Sequence, residues 1–301
     1  MRFIPGGRYL YYAGRKAKFF NNCYLLRGEE DTREEWGHLA NRAMSCLSSG
    51  GGIGIDYSKF RGKGSLLSRT GGEASGPISL MLAVNEIGRQ VMQGGSRRSA
   101  IYASLNWQHS DAEAFLHSKD WKSMPVAGTD KTMADMKEAD FNFACPLDMT
   151  NISLNWDTKF IEDYWKTGEL PELWYKNTRQ ALSSAEPGFS FNFFENENET
   201  LRNACTEVTS EDDSDVCNLG SLNMSRIEDI KDFAQCTELA TKFLVCGTMK
   251  AELPFDKVYK VREKNRRLGL GLMGMHEWLL QRKQPYKVTE EMHRWLYIYK
   301  S

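Results

Sequence analysis

Asn203, Cys205 and Glu207 alternate within Arg202-Asn203-Ala204-Cys205-Thr206-Glu207, and Cys217-Asn218-Leu219-Gly220-Ser221 follows closely behind. Side-chain direction repeats every second residue in an extended chain, so an extended segment would turn amide, thiol and carboxylate to one face. That face would hold a hydrogen-bonding group, a one-electron or nucleophilic centre and a proton acceptor, with a second thiol close by. An ordinary strand or loop around a buried cysteine is compatible with the same residues, because free cysteine packs well in cores.

The chain has 301 residues, 41% of them hydrophobic and 26% charged, with a net charge of −1. This length supports a large core and one α/β barrel-type domain. A near-zero charge gives no electrostatic footing for nucleic acid. Met1-Arg2-Phe3-Ile4-Pro5 lacks a signal peptide's apolar stretch, and nothing approaches a membrane-spanning run. Seven cysteines without a secretion signal point to a reducing, cytoplasmic setting with catalytic rather than structural thiols. Cys46, Cys145, Cys236 and Cys246 show neither Cys-x-x-Cys nor zinc-ligand spacing, so they read as buried small hydrophobes, and no metal site is expected.

Residues 31–48 have helical periodicity, with Asp31 or Thr32 as cap, and stop at Ser48-Ser49-Gly50-Gly51-Gly52. A buried strand, Ile53 to Tyr57, follows; its glycines permit close backbone approach to a ligand or simply make a turn into the strand. Residues 60–77 form a long Gly/Ser-rich loop, of a kind that is usually functional or disordered. The helix from Ile78 to about Met92 carries one apolar face, suited to its own core or to a partner subunit. Gln93-Gly94-Gly95-Ser96-Arg97-Arg98 suits an anionic ligand, since guanidinium groups match phosphate geometry; a solvated turn is the alternative. His109, Asp111 and Glu113 at the next helix start suggest a capping role. The glycines of Lys264-Asn265-Arg266-Arg267-Leu268-Gly269-Leu270-Gly271-Leu272-Met273-Gly274 suggest tight packing at a helix start. They are not a dinucleotide fingerprint, since no strand–glycine–helix unit surrounds them.

From about Pro5 to Trp278 these motifs, in this order, resemble the catalytic subunit of ribonucleotide reductases. The resemblance implies a ten-stranded α/β barrel of the ribonucleotide reductase and glycyl radical enzyme type, with Asn203-Ala204-Cys205-Thr206-Glu207 on a finger loop inside it. It further implies that Cys205 carries a transient thiyl radical and takes the 3′ hydrogen of the ribose. Glu207 would accept the 3′-hydroxyl proton, and Asn203 would hold the substrate. Cys217 and the distant Cys23, in Phe19-Phe20-Asn21-Asn22-Cys23, would form the reducing dithiol, which requires Cα atoms within about 4.4–6.8 Å. Asn22, Gly51 and Gly52 would lie beside the substrate. Arg61, Lys63 and Ser65, together with Gln93, Gly94, Gly95, Arg97 and Arg98, would belong to two specificity loops reading a deoxynucleotide effector at a homodimer interface. Asn151-Ile152-Ser153-Leu154-Asn155 and Ala185-Glu186-Pro187-Gly188-Phe189 resemble further family segments.

Gly71-Gly72-Glu73-Ala74-Ser75-Gly76-Pro77 and Cys217-Asn218-Leu219-Gly220-Ser221 are closest in wording to the adenosylcobalamin-dependent class. A class fed by a separate diiron subunit stays open, and an external thiol such as thioredoxin would regenerate the dithiol. The expected organisation is a single catalytic domain over residues 1–301, holding only part of the barrel, without an amino-terminal ATP-binding cap. No phosphate-cradling Pro-Thr loop follows Gly274, and half a barrel leaves strand edges open. A completing carboxyl-terminal polypeptide is therefore expected, whether the gene is split or the chain truncated. Two other readings are a non-catalytic nucleotide-binding relic and a thiol–disulfide protein using Cys205 and Cys217 alone, whose twelve-residue spacing is unusual for that chemistry.

Overall fold

The computed structural model describes residues 1–68, 70–91 and 98–301. In chain order the strands are β1 (Phe3–Pro5), β2 (Cys23–Arg27), β3 (Gly52–Asp56), β4 (Ile101–Asn106), β5 (Thr150–Asp157), β6 (Gly188–Asn192), β7 (Leu201–Arg202), β8 (Thr209–Ser210), β9 (Asp215–Asn223) and β10 (Leu268–Met273). The helices are α1 (Gly7–Tyr12), α2 (Arg33–Ser48), α3 (Pro77–Gln90), α4 (Ala112–His117), α5 (Met133–Ala139), α6 (Thr158–Thr167), α7 (Glu172–Ser184), α8 (Ile230–Lys250), α9 (Asp256–Asn265), α10 (Met275–Gln281) and α11 (Glu290–Lys300). The chain divides into two compact units, Cys23–Asp215 and Met1–Asn22 with Val216–Ser301.

In the larger unit β2 to β6 form a parallel sheet in sequential order, each step crossing over through helix. Local chemistry sets the helix starts. Thr32 Oγ1 accepts from Glu35 N at 3.1 Å to open α2, and Asp157 caps α6 through Phe160 N. One face of the sheet carries Tyr24, Leu26, Ile53, Ile55, Ala103, Leu105, Ile152, Leu154 and Trp156, all buried. The helices supply its cover with Leu39, Ala43, Leu47, Leu80, Val84, Phe115 and Phe160. Trp156 stands 4.7 Å from Phe160 and 5.0 Å from Trp174, ring centre to ring centre.

The other face is polar. The register puts Cys23 beside Gly52, Gly54 beside Tyr102, and Tyr102 beside Asn151. Asp56, Ser104, Ser153 and Gly188 make a second row across the sheet, and Asn106, Asn155 and Ser190 a third. Parallel sheets are usually apolar on both faces. A buried polar face implies that something other than a helix is laid on it.

The smaller unit places β9 between β1, which runs antiparallel to it, and β10, which runs parallel. Its core is Tyr9, Leu222, Phe233, Leu244, Leu270, Trp278 and Trp295, with Leu268 and Leu272 packed on it. Gly269 and Gly271 thus lie within a strand, and of the three glycines of this run only Gly274 stands at a helix start. Strand geometry sends Leu268, Leu270 and Leu272 to the core and leaves the glycines on the opposite face, where a Cβ would meet Leu219 and Ser221. Gly274, at φ +70°, is the residue that opens α10.

Candidate active site

A short hairpin, β7 and β8, lies on the polar face, with Leu201 opposite Ser210 and Arg202 opposite Thr209. It fits because the sheet is bare beneath it. A Cβ on Gly54 would stand 1.8 Å from the carbonyl oxygen of Arg202, and one on Gly52 would stand 2.8 Å from the Ala204 Cβ. Sequence spacing reads these glycines as backbone beside a ligand, but Gly52 and Gly54 first of all admit the hairpin. Gly51 donates its N–H to Cys46 O at the end of α2.

The hairpin tip is a tight turn, which corrects the expectation of an extended run. Thr206 N–H donates to Asn203 O at 3.0 Å, and Thr206 takes φ +67°. Val208 N–H donates to Asn203 Oδ1 at 3.1 Å, so the asparagine side chain closes the loop on itself. Two-residue alternation therefore does not decide which groups meet. Asn203 is fully buried, whereas Cys205, Thr206 and Glu207 are exposed. Asn203 Nδ2 is a buried donor with no hydrogen-bond partner among the described residues. Such a group is costly unless something pairs with it.

Cys23, 4% exposed, opens β2 on the same polar face. Cys217 and Asn22 belong to the smaller unit, where Asn22 N–H donates to the carbonyl of the fully buried Cys217 at 2.9 Å. Of the four cysteines expected to be buried hydrophobes, Cys46 and Cys145 are buried, Cys236 is half-buried and Cys246 is exposed. Cys246 sits on the outer side of α8, where helical periodicity gives its neighbours Thr248 and Leu244 the inward positions.

The Gly/Ser-rich loop is folded back on itself. Gly64 N–H donates to Ala74 O, Ala74 N–H to Ser65 O, and Leu66 bridges Glu73. Arg61 Nε donates to Asp31 at 2.6 Å across a cavity of about 380 Å³ at the start of α2. Lys63 holds the loop through its backbone, donating N–H to both carboxylate oxygens of Asp111 at 3.0 Å. Asp111 therefore pins the loop instead of capping α4 with its side chain. His109 accepts Asp111 N–H at Nδ1 and donates from Nε2 to Phe60 O. Gln93, Gly94, Gly95 and Arg97 lie outside the described residues. Arg98 is exposed, donates to Asn142 Oδ1 and stacks over Phe141 at 4.2 Å. Asp148 fastens the end of α3. Against the upward push of burial, bonds from Arg89, Lys137 and Asn85 bring its carboxyl down to about 2.

Sequence reasoning passed over Arg202, Glu199 and Asn192, which tie down the base of the hairpin. Arg202 stands directly before the motif, but a cation there gives no signal of its own until its burial is known.

The structure thus presents a parallel α/β unit with a thiol-bearing hairpin laid on the polar face of its sheet. A family model of the ribonucleotide reductase barrel domain matches residues 21–294. The chain belongs to the ribonucleotide reductase family, and its fold is that family's barrel-domain fold. It is 30% identical, over 96% of its length and 39% of the relative's, to the vitamin B12-dependent ribonucleoside-diphosphate reductase of Thermoplasma acidophilum. The enzyme of that name from Mycobacterium tuberculosis (strain CDC 1551) is 25% identical over 96% of this chain and 43% of its own. The large chain of the Cryptosporidium parvum ribonucleoside-diphosphate reductase is 24% identical, over 92% of this chain and 40% of its own. The chain thus spans about two fifths of the relatives it matches. Among the described residues no helix is long and apolar enough to cross a membrane.

Proposed function

We propose that this chain supplies the amino-terminal part of the catalytic barrel of a ribonucleotide reductase of the vitamin B12-dependent kind. The observation that carries the reading is the hairpin tip, where a buried, unpartnered Asn203 Nδ2 stands two residues from an exposed Cys205 and four from an exposed Glu207. Asn203 has a donor to give to a substrate hydroxyl, and Glu207 is open to accept a hydroxyl proton. The Cys205 thiyl takes the 3′ hydrogen atom of the ribose and returns it at the end of the cycle. The 2′ hydroxyl leaves as water. Cys23 and Cys217 supply the two electrons and two hydrogens as they become a disulfide, which an external thiol such as thioredoxin reduces.

Adenosylcobalamin fits this donor set as far as Cys205 is concerned, because its thiol is exposed at the tip. When bound, the cofactor supplies the radical that removes the thiol hydrogen. The cavity between Asp31 and Arg61 is the proposed effector site: an anionic nucleotide would compete with Asp31 for the Arg61 guanidinium. Lys63, Ser65 and Arg98 are proposed to belong to the specificity loops that read the effector. Asn22, Gly51 and Gly52 are proposed to border the substrate. A carboxyl-terminal polypeptide completing the barrel, a homodimer and a cytoplasmic setting complete the reading.

Replacing Cys205→Ser in the reconstituted assembly tests it. Deoxyribonucleotide formation should vanish while folding persists; turnover at the wild-type rate would overturn the assignment.

A further inference from the structure

Arg202 is the least expected residue of the hairpin. It is 7% exposed, and among the described residues it forms no ion pair. Its hydrogen bonds go to main-chain carbonyls: Nη1 donates to Glu199 O at 2.7 Å and Nη2 to Phe191 O at 3.0 Å. Phe191 belongs to β6, and Glu199 to the segment entering the hairpin, so one planar group joins the sheet to the hairpin's root. Glu199 is a node for further contacts. Its carbonyl also accepts from Asn192 Nδ2 of β6 at 2.5 Å, and its carboxylate accepts from Thr209 Oγ1 of β8 at 2.5 Å. The next residue after Arg202 is Asn203. A buried cation held by carbonyls alone is an expensive way to fill space, since an apolar side chain of similar volume would avoid the desolvation cost. The fork geometry is what an apolar residue, or a lysine, cannot reproduce.

We propose that Arg202 is a positioning residue for the proposed radical reaction, a clamp that fixes Asn203, Cys205 and Glu207 above the sheet by tying the hairpin base to β6. It touches no substrate atom. It acts by holding the backbone from which all three groups project. This inference rests on the proposed reductase function, and its first test does not depend on turnover.

That test is amide hydrogen exchange on the full chain and on Arg202→Met and Arg202→Lys, followed by peptide mass spectrometry. The amides of Thr206 and Val208 report the turn, because they bond to Asn203. The clamp requires exchange there to accelerate at least tenfold in both variants, while the amides of β3, β4 and β5 keep their protection. Unchanged exchange at 203–208 would overturn it. Loss of protection throughout the sheet in both variants would also overturn it, by assigning Arg202 to the fold as a whole. In the reconstituted reductase, Arg202→Lys should lower kcat at least tenfold with KM within twofold, since substrate contacts remain. A KM change with kcat preserved would contradict the clamp. If the wild-type assembly reduces no ribonucleotide, the functional reading fails, and the exchange result still decides whether Arg202 holds the turn.

Discussion

Gly54→Ala is the sharpest perturbation the site offers, because the new methyl would point at backbone. The ideal Cβ stands 1.8 Å from Arg202 O and 2.8 Å from Arg202 C. A carbon and a carbonyl oxygen settle at about 3.3 Å or more, so the hairpin and sheet must part by roughly 1.5 Å. Neither side yields readily: β3 is paired on both edges, and Arg202 is bonded to β6. Overpacking of this kind costs about 1–3 kcal/mol, and a displacement near 1 Å at a reacting group costs on the order of 100-fold in rate. We expect Gly54→Ala to lower the denaturation free energy by about 3 kcal/mol and reductase kcat by roughly 100-fold. Gly52→Ala meets the Ala204 methyl at 2.8 Å and the Ala100 carbonyl oxygen only at 3.3 Å, and should do less. Gly37→Ala on the exposed face of α2 meets nothing within 4 Å and should stabilise by about 0.5–1 kcal/mol. Urea titrations of the three variants provide the assay. Equal midpoints for Gly54→Ala and wild type, with turnover retained, would refute the packing of the hairpin on β3.

Three other expectations follow from the same structure. The Asp148 carboxyl is held at about 2, below its ordinary 3.8, so it stabilises the fold above pH 4 and loses that contribution as pH falls toward 2. Asp148→Asn should therefore cost about 2 kcal/mol at pH 7 and progressively less in acid, read as the gap between two melting curves taken across pH. An equal gap at pH 7 and pH 2 would contradict this. Mild oxidation followed by peptide mapping should show a Cys23–Cys217 disulfide that dithiothreitol reverses; random pairing with Cys46, Cys145, Cys236 or Cys246 would count against the dithiol. The third is the loss of deoxyribonucleotide formation in Cys205→Ser, which wild-type turnover by that variant would refute.

The elements legible in the sequence are those whose cause is local. The Thr32 cap and the spacing of Leu39, Ala43 and Leu47 specify α2 by themselves, and a glycine-broken apolar run specifies β3. What stayed hidden depends on contacts distant in sequence. The turn at Asn203–Thr206 is set by an asparagine bonding five residues ahead, and no two-residue pattern reports that. Asp111 looks like a cap by position, yet the amide of Lys63, 48 residues earlier, takes its carboxylate.

Glycine shows why one residue supports two readings. At Gly54 the absence of a Cβ admits the backbone of Arg202, and at Gly52 it admits the Ala204 methyl, and only the partner segment at 202–204 reveals this. The polar face is the same problem on a larger scale. Tyr102, Ser104, Ser153, Asn155 and Ser190 are scattered over three strands, and each alone reads as an interruption of a buried apolar run. Aligned by register they form one surface, and a polar surface buried inside an α/β unit makes sense only if a polar segment is inserted there. The hairpin is that segment. Its placement rests on the glycines below, Arg202 at its base and Asn203 at its turn all at once, so the position of Cys205 is specified by residues distant from it in sequence as well as by its neighbours.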